Sequence, residues 1–116
     1  MSLRMLAITM DCVDPNRLAE FWSAALHTGK GGDSDGWAWL ADRKDGTPFL
    51  VFQRVPESKI CKNRVHIDLE AVDSTMEAEV RRLEGLGATV VRVVEPDNRN
   101  TIMQDPEANE FCVCMP

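Results

Sequence analysis

The chain has 116 residues, of which 44% are apolar and 28% charged, with a net charge of −6 at pH 7. That length suits one compact domain, or two small modules, with enough buried surface to fold without covalent staples. The acidic balance and the lack of a basic run exclude a phosphate-neutralising nucleic-acid binder, and no apolar run reaches the ~20 residues of a bilayer-spanning helix.

Leu6 to Cys12 alternates in the manner of a half-buried strand. Asp14-Pro15 then offers an N-cap followed by a proline at the first helical position. Leu18, Phe21, Trp22, Ala25 and Leu26 follow at helical spacing, which predicts a helix from Pro15 to His27 stopped by Gly29. The stretch Gly31-Gly32-Asp33-Ser34-Asp35-Gly36 reads as a turn, Trp37 to Leu40 as a strand, and Asp45-Gly46 as a hairpin signal before a strand from Phe49 to Arg54. Val55 to Asn63 reads as a connector.

Val65 to Ala71 is again strand-like, and Asp73 or Ser74 is placed to cap a second helix with the stripe Met76, Val80, Leu83 and Leu86, ended by Gly87. Strands are expected at Ala88 to Val94, Arg99 to Gln104 and Phe111 to Met115, with Asp105-Pro106-Glu107-Ala108-Asn109 turning between the last two. Four cysteines are present, and Cys12, Cys112 and Cys114 fall in expected strands rather than in a loop-rich framework. They are read as reduced thiols, and with no basic-then-apolar leader the expected location is cytoplasmic.

The chain repeats itself. Ile8-Thr9-Met10-Asp11-Cys12-Val13-Asp14 is echoed by Ile67-Asp68-Leu69-Glu70-Ala71-Val72-Asp73, a register of 59 residues. The fold class expected is therefore α+β: one domain made of two βαβββ modules, at about 4–54 and 64–116 with a connector at 55–63, whose curved sheets enclose a cleft. Strand alternation puts Val65, Ile67 and Leu69 towards a helix and His66, Asp68 and Glu70 on the opposite face. The same rule places Ala7, Thr9 and Asp11, Val51 and Gln53, and Cys112 and Cys114 on the faces away from the helices. In this register Ala7 stands opposite His66, and Gln53 opposite Cys112.

The paired modules, the strand Arg64-Val65-His66-Ile67-Asp68-Leu69, the run Leu86-Gly87-Ala88-Thr89-Val90-Val91 and the closing Asp105-Pro106-Glu107-Ala108-Asn109-Glu110-Phe111-Cys112 resemble the vicinal oxygen chelate superfamily. The nearest branch is the small glyoxalase-like domain proteins, relatives of glyoxalase I, bleomycin-resistance proteins and extradiol dioxygenases. Ala108 stands where that group usually has glycine. In its metal-dependent members each module supplies two ligands, and the resemblance maps those positions onto Ala7, Gln53 (or Phe52), His66 and Cys112. A methyl group cannot ligate, an amide is a weak donor and a thiol replaces a hard carboxylate, so no resident metal or other cofactor is expected.

His66 and Asp68 are the expected acid–base pair, the carboxylate orienting the imidazole or holding its charged form. The structural alternative is a histidine simply bonded to Asp68 or to the backbone. Thr9, Trp37, Trp39, Gln53, Cys112 and Cys114 are the expected ligand-contacting residues. The two tryptophans are read either as an aromatic wall for a flat or cationic ligand or as cover for a sheet edge or dimer interface. Cys112 and Cys114 with His66 could also form a soft zinc site, although free cysteine commonly packs as a small hydrophobe.

Three functions remain open at this point. The favoured one is a metal-independent binder of a small organic molecule, a lyase or isomerase if it is catalytic. The others are a metal-dependent glyoxalase or dioxygenase and a resistance-type binder of a cationic drug. The expected partners are a small-molecule ligand and a second copy in a homodimer, with no nucleic acid and no membrane.

Overall fold

Each half of the chain folds as strand, helix and three further strands. The computed structural model describes residues 2–116. The first half contains β1 (Ala7–Cys12), α1 (Pro15–Leu26), β2 (Lys30–Ser34), β3 (Trp37–Leu40) and β4 (Phe49–Arg54). The second contains β5 (Ile67–Glu70), α2 (Met76–Leu86), β6 (Thr89–Val93), β7 (Asn100–Gln104) and β8 (Glu110–Cys114). The chain divides into two compact units, one ending at Ser58 and the other running from Lys59 to Pro116.

In the first unit the strands lie in the order β1-β4-β3-β2, with β1 parallel to β4 and the other pairs antiparallel. Asp14 caps α1 by accepting from the Arg17 amide at 3.2 Å, and Pro15 opens the helix. The helix closes on His27, which adopts a left-handed φ of 52°, so the expected stop at Gly29 comes two residues late. Leu18 and Trp22 of α1 and Leu40 and Phe52 of the sheet it packs on are all completely buried, and Phe21 meets Trp22 edge-on with ring centres 5.2 Å apart.

The glycine-rich stretch read as a turn is instead β2, paired with β3. Its glycines make room for Trp39. A Cβ on Gly31 would lie 2.4 Å from Trp39 Cδ1, and one on Gly32 would lie 2.9 Å from Trp39 Cζ2. The turn itself is confined to Asp35-Gly36, where Gly36 takes a positive φ of 78°.

The second unit repeats the topology as β5-β8-β7-β6, with β5 parallel to β8. Its helix is capped by Thr75, which accepts from the Ala78 amide at 3.1 Å; neither Asp73 nor Ser74 fills that role. Asp73 takes a left-handed φ of 55° in the longer passage between strand and helix. Met76 and Leu83 of α2 are buried, as are Ala88, Met103, Phe111 and Val113. Val65, expected to pack inwards, lies before the strand begins and is 79% exposed.

The ladders refine the repeat. Ile8 pairs with Leu50 and Ile67 with Phe111, and in both units the β4 or β8 partner is buried. The first strands are thus 59 residues apart but the last strands 61 apart. Two extra residues before Thr75 account for the change. Val51 is therefore the counterpart of Cys112, and Gln53 that of Cys114, which corrects the single-register pairing of Gln53 with Cys112.

Candidate functional site

In the second unit the even-numbered residues of β8 and β5 share the face turned away from α2. Asp68 pairs with Cys112 and Glu70 with Cys114, while Phe111 and Val113 pack into the core. Ile102 and Asn100 of β7 complete the rows, opposite Cys112 and Cys114. His66 sits just before the first residue of β5. Its Nδ1 lies 3.4 Å from Asp68 Oδ1, with the two side chains 44% and 64% exposed.

One ligand-type atom from each of His66, Asp68 and Cys112 falls within 4.8 Å of the others, the one cluster of this kind among the described residues. Burial pushes the Cys112 thiol up from its ordinary pKa. The Asp68 charge and a hydrogen bond to the Asp68 side chain push it further, and Lys62 opposes them. The Cys114 thiol is also raised, by burial and then by Asp68 and Glu70. Both sulfurs therefore favour the thiol form, which disfavours Cys112 as a free thiolate nucleophile. Of these neighbours, Lys62 falls in the connector and carries no motif that sequence alone could have flagged.

The donor set does not fit a hard divalent ion. Such ions want several oxygen ligands, whereas the cluster offers one carboxylate beside an imidazole and a thiol. In the first unit Ala7 presents only a methyl group.

The site is braced from below. Glu110, at the start of β8, accepts from Lys59 Nζ at 2.8 Å, from the Asn63 amide at 2.7 Å and from Gln104 Nε2 at 3.3 Å. Burial alone would raise its carboxyl, but these donors outweigh that effect and bring the pKa down to about 2. Asn63 also donates to Asn109 Oδ1 at 3.0 Å, and Asp105 gathers the amides of Glu107 and Asn109 at 2.9 Å each. The segment leading to His66 is thereby tied to the strand that carries Cys112.

The remaining expected ligand-contacting residues gather on the first unit's open face. Trp37, Gln53 and Asp11 form one row across β3, β4 and β1, and Trp39, Val51 and Thr9 form the next. Trp37 is exposed, while Trp39 is half-buried with its ring lying over Gly31 and Gly32. Thus Thr9, Trp37, Trp39 and Gln53 lie together on one sheet, and Asp68, Cys112 and Cys114 on the other, with His66 at the entry to its first strand.

A family model described as a glyoxalase-like domain matches residues 7–114. Among solved structures, a glyoxalase/bleomycin resistance/dioxygenase family enzyme from Burkholderia phytofirmans PsJN is 14% identical, with 94% of this chain and 95% of that chain covered and a TM-score of 0.75. A possible glyoxalase from Bacillus cereus is 18% identical over 97% of this chain and 99% of that one, with a TM-score of 0.69. A mutant of the fosfomycin resistance protein FosX from Listeria monocytogenes, complexed with Mn(II) and 1S,2S-dihydroxypropylphosphonic acid, is 13% identical over 98% and 90%, with a TM-score of 0.73. At these identities the likeness is one of fold. A comparison with curated proteins finds no match. No helix among the described residues is long and apolar enough to cross a membrane.

Proposed function

Because the chain belongs to the glyoxalase-like domain family, we propose that it binds a small organic molecule over the open face of β5 and β8 and acts on it without a hard metal ion. The observation that carries this reading is the His66 imidazole held 3.4 Å from the Asp68 carboxylate while both remain open to solvent. With Nδ1 facing Asp68, Nε2 is the nitrogen left to meet a ligand. An imidazole so oriented takes a proton from a substrate and returns it, the step a lyase or isomerase requires. Asp68 positions the ring through the 3.4 Å approach to Nδ1.

The FosX neighbour's phosphonate ligand suits this chain poorly. Asp68 and Glu70 lie on the same face and would repel a phosphonate dianion. A second reading, a binder of a cationic drug, is favoured by the first unit's Trp37–Gln53–Asp11 row, which pairs an aromatic surface with a carboxylate. A homodimer is consistent with Val90, Val91 and Val93, all exposed on the edge strand β6.

The test uses chelator-treated protein and thermal-shift titration with small carbonyl compounds, organic cations, bleomycin and fosfomycin. A compound that raises the melting temperature without added metal is the expected result, with fosfomycin inactive. Turnover of that compound that vanishes in His66→Ala while affinity survives would establish acid–base catalysis. Binding that appears only after manganese or magnesium is restored would overturn the reading.

A further inference from the structure

We infer that Asp35, in the turn between β2 and β3, is a site of spontaneous isoaspartate formation, while the second Asp-Gly pair of the chain, Asp45-Gly46, is protected by its own hydrogen bonds. The inference concerns the first unit alone and uses none of the residues assigned to acid–base action.

The modification needs no reagent beyond water. The Gly36 amide nitrogen attacks the Asp35 carboxyl carbon; a C–N bond forms and a C–O bond breaks as water leaves, closing a succinimide ring. Hydrolysis then returns the water at either ring carbonyl. Opening at one restores aspartate. Opening at the other leaves the main chain running through the former side chain, one methylene longer and with no change of oxidation state. Glycine admits the attack most readily, because no Cβ crowds its nitrogen.

Both pairs carry that glycine, so the surrounding atoms decide between them. The Asp35 side chain is fully exposed, and its one partner among the described residues is Arg54 Nη1 at 3.9 Å, beyond hydrogen-bond range. Gly36 lies outside the β2–β3 ladder, which ends at the Ser34–Trp37 pair, so the ladder does not hold its nitrogen.

Asp45 is held in place. Its Oδ1 accepts from the Thr47 amide at 3.0 Å and from Thr47 Oγ1 at 2.5 Å, and its Oδ2 lies 3.9 Å from Arg43 Nε. The Thr47 hydroxyl, then the Thr47 amide, keep this carboxyl below its ordinary pKa and so ionised, the form from which oxygen leaves less readily. Those bonds must break before the carboxyl carbon can turn to the Gly46 nitrogen.

The consequence falls on Trp37. Asp35-Gly36 is the whole connection between β2 and β3, and the Gly36 carbonyl accepts from the Arg54 amide at 2.8 Å. A two-residue connection fixes the register of its strands, so an added methylene cannot preserve both that bond and the Ser34–Trp37 pair. Isomerisation therefore displaces Trp37 from the row it shares with Gln53 and Asp11.

The experiment incubates the full chain for weeks at mildly acidic pH, both folded and unfolded in urea. Isoaspartate is quantified at each pair by peptide mapping, since an aspartate-specific protease does not cut at the isomerised bond. In the folded chain Asp35 should isomerise at least about tenfold faster than Asp45, the effect of one hydrogen bond to a charged group. In urea the two should proceed at comparable rates. Asp35→Glu should give no isomer at this position, because the longer side chain closes a larger and slower-forming ring. Thr47→Val should raise the yield at Asp45 severalfold. In the separated isoaspartyl form the Arg54 amide should exchange with solvent more than about tenfold faster, as its bond to Gly36 is lost. Equal yields at the two pairs in the folded chain, or a preference for Asp35 that persists in urea, would overturn the proposal. So would an Arg54 amide equally protected in the isoaspartyl form.

Discussion

Asp68 and Cys112 stand opposite each other in the parallel ladder of β5 and β8, where burial and then the Asp68 charge hold the thiol above its ordinary pKa. Removing the charge should therefore release the thiolate. In Asp68→Asn the alkylation of Cys112 by iodoacetamide at pH 8 should quicken roughly fivefold, the effect of about 1 kcal/mol from one close charge in water-like surroundings. The exposed Cys61 is the internal control and should react at an unchanged rate. Peptide-resolved mass spectrometry separates the two.

Glu110 gives the fold a defined acid sensitivity. Its carboxyl titrates at about 2 in the folded chain against an ordinary 4.5, so the unfolded state takes up the proton first. The stabilisation is fully present above about pH 4.5 and is lost as pH falls towards 2. Glu110→Gln should cost about 3 kcal/mol at neutral pH, because the Lys59 ammonium loses its charged partner in a mostly buried setting. The variant's unfolding free energy should also depend less on pH between 4.5 and 2 than the parent's does. Urea melts across that range measure both.

Ala108 occupies a left-handed φ of 66° in the turn before β8. A Cβ is strained there by roughly 1–2 kcal/mol, part of which glycine returns through the greater freedom of the unfolded chain. Ala108→Gly should stabilise the protein by about 0.5–1 kcal/mol on balance. Thermal unfolding reads the gain, and a loss of stability would contradict the strain.

Gly31 carries the opposite prediction. An added Cβ would meet Trp39 Cδ1 at 2.4 Å and the Leu40 carbonyl oxygen at 2.8 Å, and a backbone atom cannot step aside. Gly31→Ala should cost roughly 1–3 kcal/mol and move the Trp39 fluorescence towards that of a solvent-exposed indole. Trp39→Phe combined with Gly31→Ala should recover part of the loss.

Most of the architecture was legible in the sequence because alternation and helical spacing report burial directly. The inward Leu50, Phe52, Phe111 and Val113 and the outward Asp68, Cys112 and Cys114 follow from period-two patterning alone. What escaped depends on atoms distant in sequence. Gly31 and Gly32 read as a turn because glycine usually marks one, but they are bare so that the Trp39 ring can lie on the backbone. The likeness of Asp14 to Asp73 suggests a single register for the repeat, but only Asp14 caps its helix, and Thr75 caps the other. Nothing local announces that Lys59 and Asn63 close on Glu110, because the contacts span 51 and 47 residues.

The central claim is that His66, Asp68 and Cys112 mark where a small organic molecule is handled. Native mass spectrometry of the chelator-treated protein, saturated with the compound found by thermal shift, tests it most directly. The account predicts one organic ligand retained per chain with no metal mass beside it, and loss of that ligand in a His66→Ala, Asp68→Asn double variant that remains folded. A ligand held equally well by the double variant, or held only together with a manganese or magnesium ion, would contradict it.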